Sequence, residues 1–251
     1  MGTHSQTGSH RVFGSGEFFA AHGYLRVPIL VQWMATLKCG LSCGHCLAVS
    51  REAGFGDMPL QKVRRLIDEV AQMGVREFLI TGGEPLVRDD LGEVIECLGR
   101  KGVSWTLNTA ALPSQDLRAA IARRPPGFVA VSVDGPRPVH DAFRGRAGAW
   151  NEAMEAIRFF KSLPGVRLCA GTTVTRQNYD HLDETFHLVT ASGADQWGVH
   201  LLVPEGRAAD RPDLFLSKTQ LRRLIKFVAR KRRYFRVEMA DEIGYLVPAH
   251  D

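Results

Sequence analysis

The chain has 251 residues, 45% of them apolar and 24% charged, with a net charge of +5. This is an ordinary globular composition, long enough for one α/β barrel domain. No apolar run approaches the roughly 20 residues a membrane-spanning helix needs, and residues 27–34 are interrupted by Gln32. The start, Met1-Gly2-Thr3-His4-Ser5, lacks the charged region and apolar core of a secretion signal. Few cysteines, most of them clustered, fit a reducing, cytoplasmic setting.

In chain order, residues 1–12 are polar and expected to be a disordered arm. Residues 13–27, with Phe18, Phe19, Tyr24 and Leu25, suggest a flap or short strand packed on the domain. Residues 28–36 read as a buried strand that runs directly into a cysteine-rich loop. Val63, Leu66, Ile67 and Val70 then repeat at helical spacing, with Pro59 in the first turn and Gly74 at the end. Residues 77–81 form the second strand, followed by a helix through Leu91, Val94, Ile95 and Leu98 and a strand at 103–108. A short helix capped by Ser114 precedes a strand at 128–133. Next come a helix with Trp150, Met154, Ile157 and Phe160, a strand at 166–174, and a helix with Leu182, Phe186 and Val189. A sixth strand at 196–203 leads to an amphipathic helix around Leu221, Leu224, Ile225 and Val228, then a short strand at 235–239. Six strand–helix units in strict alternation imply a parallel sheet with helices outside, and six rather than eight leave the barrel incomplete. The expected architecture is α/β, a partial (β/α)6 TIM barrel over residues 28–216, followed by a C-terminal portion at 217–251.

The chemistry centres on Cys39-Gly40-Leu41-Ser42-Cys43-Gly44-His45-Cys46. A stretch this short cannot place three thiols on one helix face, so a loop must wrap them about a common point. Three is an odd number for disulfides and one short of a closed tetrahedral zinc site. A cubane iron–sulfur cluster takes one thiolate per iron, so three cysteines would leave one iron open to a small molecule. Zinc completed by His45 or a distant ligand is the alternative these residues leave open.

The spacing C-x3-C-x2-C, with His45 before the last cysteine, resembles the signature of the radical S-adenosylmethionine (SAM) enzymes. That resemblance implies a [4Fe–4S] cluster on Cys39, Cys43 and Cys46, with the open iron chelating S-adenosyl-L-methionine. Its reduction releases a 5′-deoxyadenosyl radical, and the electron implies a flavodoxin- or ferredoxin-like reductant protein. Thr81-Gly82-Gly83-Glu84-Pro85 follows the second strand. Its two glycines let backbone approach a ligand, and Glu84 is expected to face the barrel mouth. In the family a GGEP segment there contacts the SAM amino group.

Ser132-Val133-Asp134-Gly135-Pro136, with His140-Asp141-Ala142-Phe143-Arg144-Gly145, resembles a stretch of radical SAM enzymes that modify peptides and proteins, those of the SPASM/twitch type. It implies that Ser132 and Arg144 hold the SAM carboxylate, for which a planar guanidinium is suited, and that Asp134 lies near the ribose or substrate. The family further implies binding roles for Asn108, Thr173, Leu201 and Val203 at strand ends, the last two bracketing adenine. Asn108-Thr109 stands where the family has Thr-Asn-Gly. Pro204-Glu205-Gly206-Arg207-Ala208 resembles a P-x-G-R-A segment of peptide maturases. Cys97 and Cys169 read as buried apolar residues, and His140, His181, His187, His200 and His250 as structural or surface groups.

A ribosomally made peptide is the expected substrate, undergoing a crosslink, epimerisation or oxidation. The alternatives are a small molecule, a tetrapyrrole precursor or RNA, and, from another class, a non-catalytic zinc-binding scaffold. Residues 205–236 hold eleven Lys or Arg against Glu205, Asp210 and Asp213, so this segment carries +8. Its first interleaved aromatic is Phe215, and Phe227 and Tyr234 come late in the basic run, so a stacking platform for nucleic acid is poorly supported. At residues 240–246 peptide-modifying members continue into a cysteine-rich extension with auxiliary clusters. The sequence carries no such cysteines before Asp251. That leaves a truncated chain or a member working with one cluster.

Overall fold

The computed structural model describes residues 28–48 and 56–240. The expected N-terminal arm, the flap at 13–27 and the tail beyond 240 lie outside these residues. Seven strands, β1 (Leu30–Met34), β2 (Glu77–Thr81), β3 (Ser104–Thr109), β4 (Phe128–Ser132), β5 (Arg167–Val174), β6 (Gln196–Leu201) and β7 (Val237–Ala240), form one sheet in sequence order. Every neighbouring pair is parallel. Because the order never reverses, right-handed crossovers deliver every helix to the same face, and the sheet curls as a barrel does. It does not close. β1 and β7 are its two edges, so the architecture is a partial barrel.

The helices are α1 (Leu60–Gln72), α2 (Leu91–Arg100), α3 (Gln115–Arg123), α4 (Arg137–Arg144), α5 (Ala149–Lys161), α6 (Leu182–Ala191) and α7 (Lys218–Lys231). Successive strand residues face opposite sides, and one set meets the helices. Trp33, Phe78, Ile80, Leu107, Val129, Val131, Leu168, Val174, Trp197 and Val199 join Ile67, Leu98, Ile157, Leu224 and Val228 in one continuous core. α7 and β7 belong to this core and sheet, so the last strand is a seventh stave beside β6.

The other set of strand residues faces the concave side. The register places Ser132 beside Gly171, Gly171 beside Gly198 and Gly198 beside Glu238. Asn108 stands beside Ala130, and Thr173 beside His200. Small and polar residues thus line the inner wall, where a bound molecule needs room.

Helix ends follow local chemistry. Ser114 caps α3 by accepting the Leu117 N–H at 3.4 Å. Pro59 is the residue before α1 rather than inside its first turn, and Gly74 ends that helix at a φ of 77°. α4 was not expected from sequence, because it spans only eight residues and its apolar positions, Val139, Ala142 and Phe143, cover little more than one turn. It is fixed by Pro136 at its start and by Gly145 in the left-handed region at its end. Among the described residues no helix is long and apolar enough to cross a membrane.

Candidate functional site

β1 ends at Met34 and the chain passes through Ala35 and Thr36 into the cysteine loop. The loop sits at the C-terminal edge of a parallel sheet, where such folds place their chemistry. Cys43 is buried, Cys39 and Cys46 are half-buried, and none is in a disulfide. Burial pushes the Cys39 thiol up, and Cys43 and Cys46 are close enough to add to that rise by repulsion. Burial likewise raises Cys43, against the pull of the Arg144 guanidinium.

Three segments hold the loop. On the β2 side, Gly83 N–H donates to Thr36 O at 2.7 Å and Glu84 N–H to Lys38 O at 2.8 Å. A Cβ at Gly82 would collide with Thr36 O, and one at Gly83 with Lys38 O. The close approach these glycines permit is therefore made to the chain's own backbone. On the α4 side, Ser42 N–H donates to Arg144 O at 3.1 Å and Ser42 Oγ to Gly145 O at 3.2 Å. From beyond β6, Arg207 N–H donates to Cys46 O at 2.9 Å and its Nη1 to Cys43 O at 2.8 Å.

Glu84 departs from expectation. Its carboxylate is buried and turned toward β3, accepting from Thr109 Oγ1 at 2.7 Å, Ala110 N–H at 2.8 Å and Leu86 N–H at 3.2 Å. Burial raises its pKa and those three donors oppose the rise. It braces the β2 loop against the end of β3 and does not face the mouth. Pro85 is buried at the start of a short 3-10 turn, Pro85–Val87.

Arg144 is likewise engaged. Its Nε donates to Asp134 Oδ2 at 2.7 Å, its Nη2 lies 2.6 Å from the same oxygen, and its Nη1 reaches Cys43 Sγ at 3.8 Å. Asp134 has no exposed surface, and its Oδ1 accepts the Thr173 N–H at 3.0 Å. Arg144, expected to hold the SAM carboxylate with Ser132, is engaged here in a buried ion pair and backs a thiol. Ser132 is half-buried at the end of β4, on the concave wall with Asn108 and Thr173. Leu201 follows Trp197 and Val199 on the helix-facing side and packs against the core, so it does not line that wall. Val203 is exposed just beyond β6.

His45 stacks on Phe143 with ring centroids 4.2 Å apart, and burial with the nearby Arg144 lowers its pKa to about 4. His140 is fully buried beneath the site and accepts the Asp134 N–H on Nδ1 at 3.1 Å. His200, read from sequence as structural or surface, stands on the concave wall beside Thr173. The period of the strand carried the signal: Trp197 and Val199 point to the core, so His200 points away from it.

The donor set fits an iron–sulfur cluster better than a single ion. Zinc draws all its sulfur ligands to about 2.3 Å from one point. Among the described residues no three His, Cys, Asp or Glu side chains converge in that way. A cluster spreads its thiolates, one to an iron, and this loop offers three free thiols.

An open parallel barrel with a three-thiol loop beyond its first strand defines the class: an α/β protein with its candidate site at the C-terminal edge of the sheet. The Radical SAM superfamily matches residues 33–189, and the chain belongs to that superfamily. It is 36% identical over 187 residues to an AdoMet-dependent heme synthase of Oleidesulfovibrio alaskensis, covering 72% of this chain and 47% of that protein. It is 32% identical over 211 residues to the mycofactocin maturase MftC of Mycolicibacterium smegmatis, covering 82% and 53%. Streptococcus suis SuiB bound to its precursor peptide SuiA shares the fold, with a TM-score of 0.74 at 17% identity over 91% of this chain and 52% of that one. The chain thus spans about half the length of these relatives.

Proposed function

We propose that this chain is the catalytic core of a radical SAM enzyme acting on a ribosomally made peptide. The observation that carries the reading is the loop of Cys39, Cys43 and Cys46, three free thiols held in place from three sides at the mouth of an open barrel. When bound, a [4Fe–4S] cluster supplies the electron that cleaves SAM to a 5′-deoxyadenosyl radical, which abstracts hydrogen from substrate.

The chain's own residues bind, orient and shield. Cys39, Cys43 and Cys46 would hold the cluster, and Arg144 would offset negative charge at Cys43. Asp134 fixes Arg144 and is itself fixed by Thr173. Ser132, Asn108 and Thr173 present polar groups to SAM on the concave wall, where the His200 ring lies over Gly171 and Gly198. A sheet open between β1 and β7 suits entry of an extended chain. SuiB, solved with a precursor peptide, and MftC, named as a maturase, support a peptide.

A tetrapyrrole substrate is the second reading, favoured by the 36% identity to a protein named as a heme synthase. Anaerobic reconstitution tests the core of both. About four iron and four sulfide per chain, with 5′-deoxyadenosine formed from SAM and a reductant, is expected, and Cys43→Ala should abolish both. A colourless protein holding one zinc would refute them. Mass spectrometry after incubation with a candidate precursor peptide or an iron porphyrin then separates the two substrates.

A further inference from the structure

The segment after β6 crosses to the cysteine loop after β1, although four strands lie between them in the sheet. Two of its hydrogen bonds end on backbone carbonyls of cluster cysteines: Arg207 Nη1 to Cys43 at 2.8 Å and Arg207 N–H to Cys46 at 2.9 Å. Gly206, with a φ of 57°, lies so near that a Cβ there would strike the carbonyl oxygens of Cys46 and Leu47. A third contact falls at Gly44, where a Cβ would stand 3.3 Å from Arg211 Nη1. Arg211 is held by Asp213 through Nε at 2.9 Å and Nη2 at 2.7 Å. Ala208 and Leu214 are buried and anchor the segment, and Leu214 O accepts the Arg176 N–H at 2.9 Å.

We infer that residues 204–214 form a strap across the barrel mouth, with Arg207 as the positioning residue that fixes the cysteine loop and governs how firmly it retains an iron–sulfur group. This rests on the cluster assignment proposed above. A hydrogen bond from a charged donor is stronger than a neutral one, and here it restrains the peptide units of two of the three cysteines. Gly206 is needed because only a residue without a Cβ lets the strap lie this close. Arg207 is not itself a ligand. Partners one shell out from a metal typically alter its retention by about 10–100-fold when removed.

The test compares reconstituted wild type with Arg207→Ala and Arg207→Lys. Arg207→Ala should lose iron to a chelator about ten-fold faster, with an altered electron paramagnetic resonance spectrum after reduction. Arg207→Lys, which keeps the charge, should recover part of the difference. Hydrogen exchange on the metal-free proteins reads the strap without any cluster, and amides at 40–47 should exchange faster in Arg207→Ala. Wild-type iron release together with wild-type exchange in Arg207→Ala would overturn the inference. If that variant does not fold, Gly206→Ala keeps every charge and should show the same acceleration, and wild-type behaviour there would overturn the inference equally. A wild type that takes up no iron would sink the cluster assignment, while the exchange comparison would still decide the strap.

Discussion

The carboxylate of Asp134 has a partner on each oxygen, Arg144 on one and the Thr173 amide on the other. Losing one member of a buried pair strands the other charge, at a cost of about 3–5 kcal/mol. Asp134→Ala should therefore destabilise the domain by that amount in urea unfolding, and Asp134→Asn, which keeps an acceptor for Thr173, by less. His140 adds a pH dependence. Burial lowers its pKa from 6.5 to about 4, so the unfolded chain takes up its proton first as pH falls. Stability from this group is complete above pH 6.5 and drains away toward pH 4, about 2 kcal/mol of it by pH 5. Unfolding at pH 7 and pH 5 should show the loss, and His140→Leu should remove that part of the slope.

Among the elements, the turn after β2 shows how one strand end builds the next. Gly83→Ala would press a methyl group into the Lys38 carbonyl. Such overpacking costs about 1–3 kcal/mol, and here the displaced backbone leads into the cysteine loop. Both melting temperature and iron per chain should fall, and a variant matching wild type in both would refute this role. Strands were legible in the sequence because apolar runs bounded by glycine mark them, and residues 77–81 match β2 end to end. α4 was not, because its buried residues are His140, Phe143 and Arg144 and only one of these is apolar. The three cysteines were legible through spacing alone. The direction of Glu84 was not, since it depends on an amide 26 residues away, and the grip of Arg207 depends on a carbonyl 164 residues away.

For the whole molecule, binding and stability are linked. A ligand that binds only the folded state adds stability that grows with its concentration. If SAM is gripped through the open iron, then SAM at about 100 times its Kd should add about 2.7 kcal/mol to the reconstituted protein and leave the metal-free protein unchanged. Equal stabilisation of both forms in thermal melts would place the SAM site elsewhere. The seven-stranded order supplies the frame for this linkage, since β7 and α7 share the core with β6 and keep Trp197 and Val199 covered.

The cysteine loop leaves the first strand, yet its restraints come from beyond the second, fourth and sixth. A nascent chain emerging from its N-terminus thus displays all three thiols long before the parts that shape them exist. If the loop holds the proposed cluster, iron should enter only after assembly, and its uptake would certify that distant regions have met.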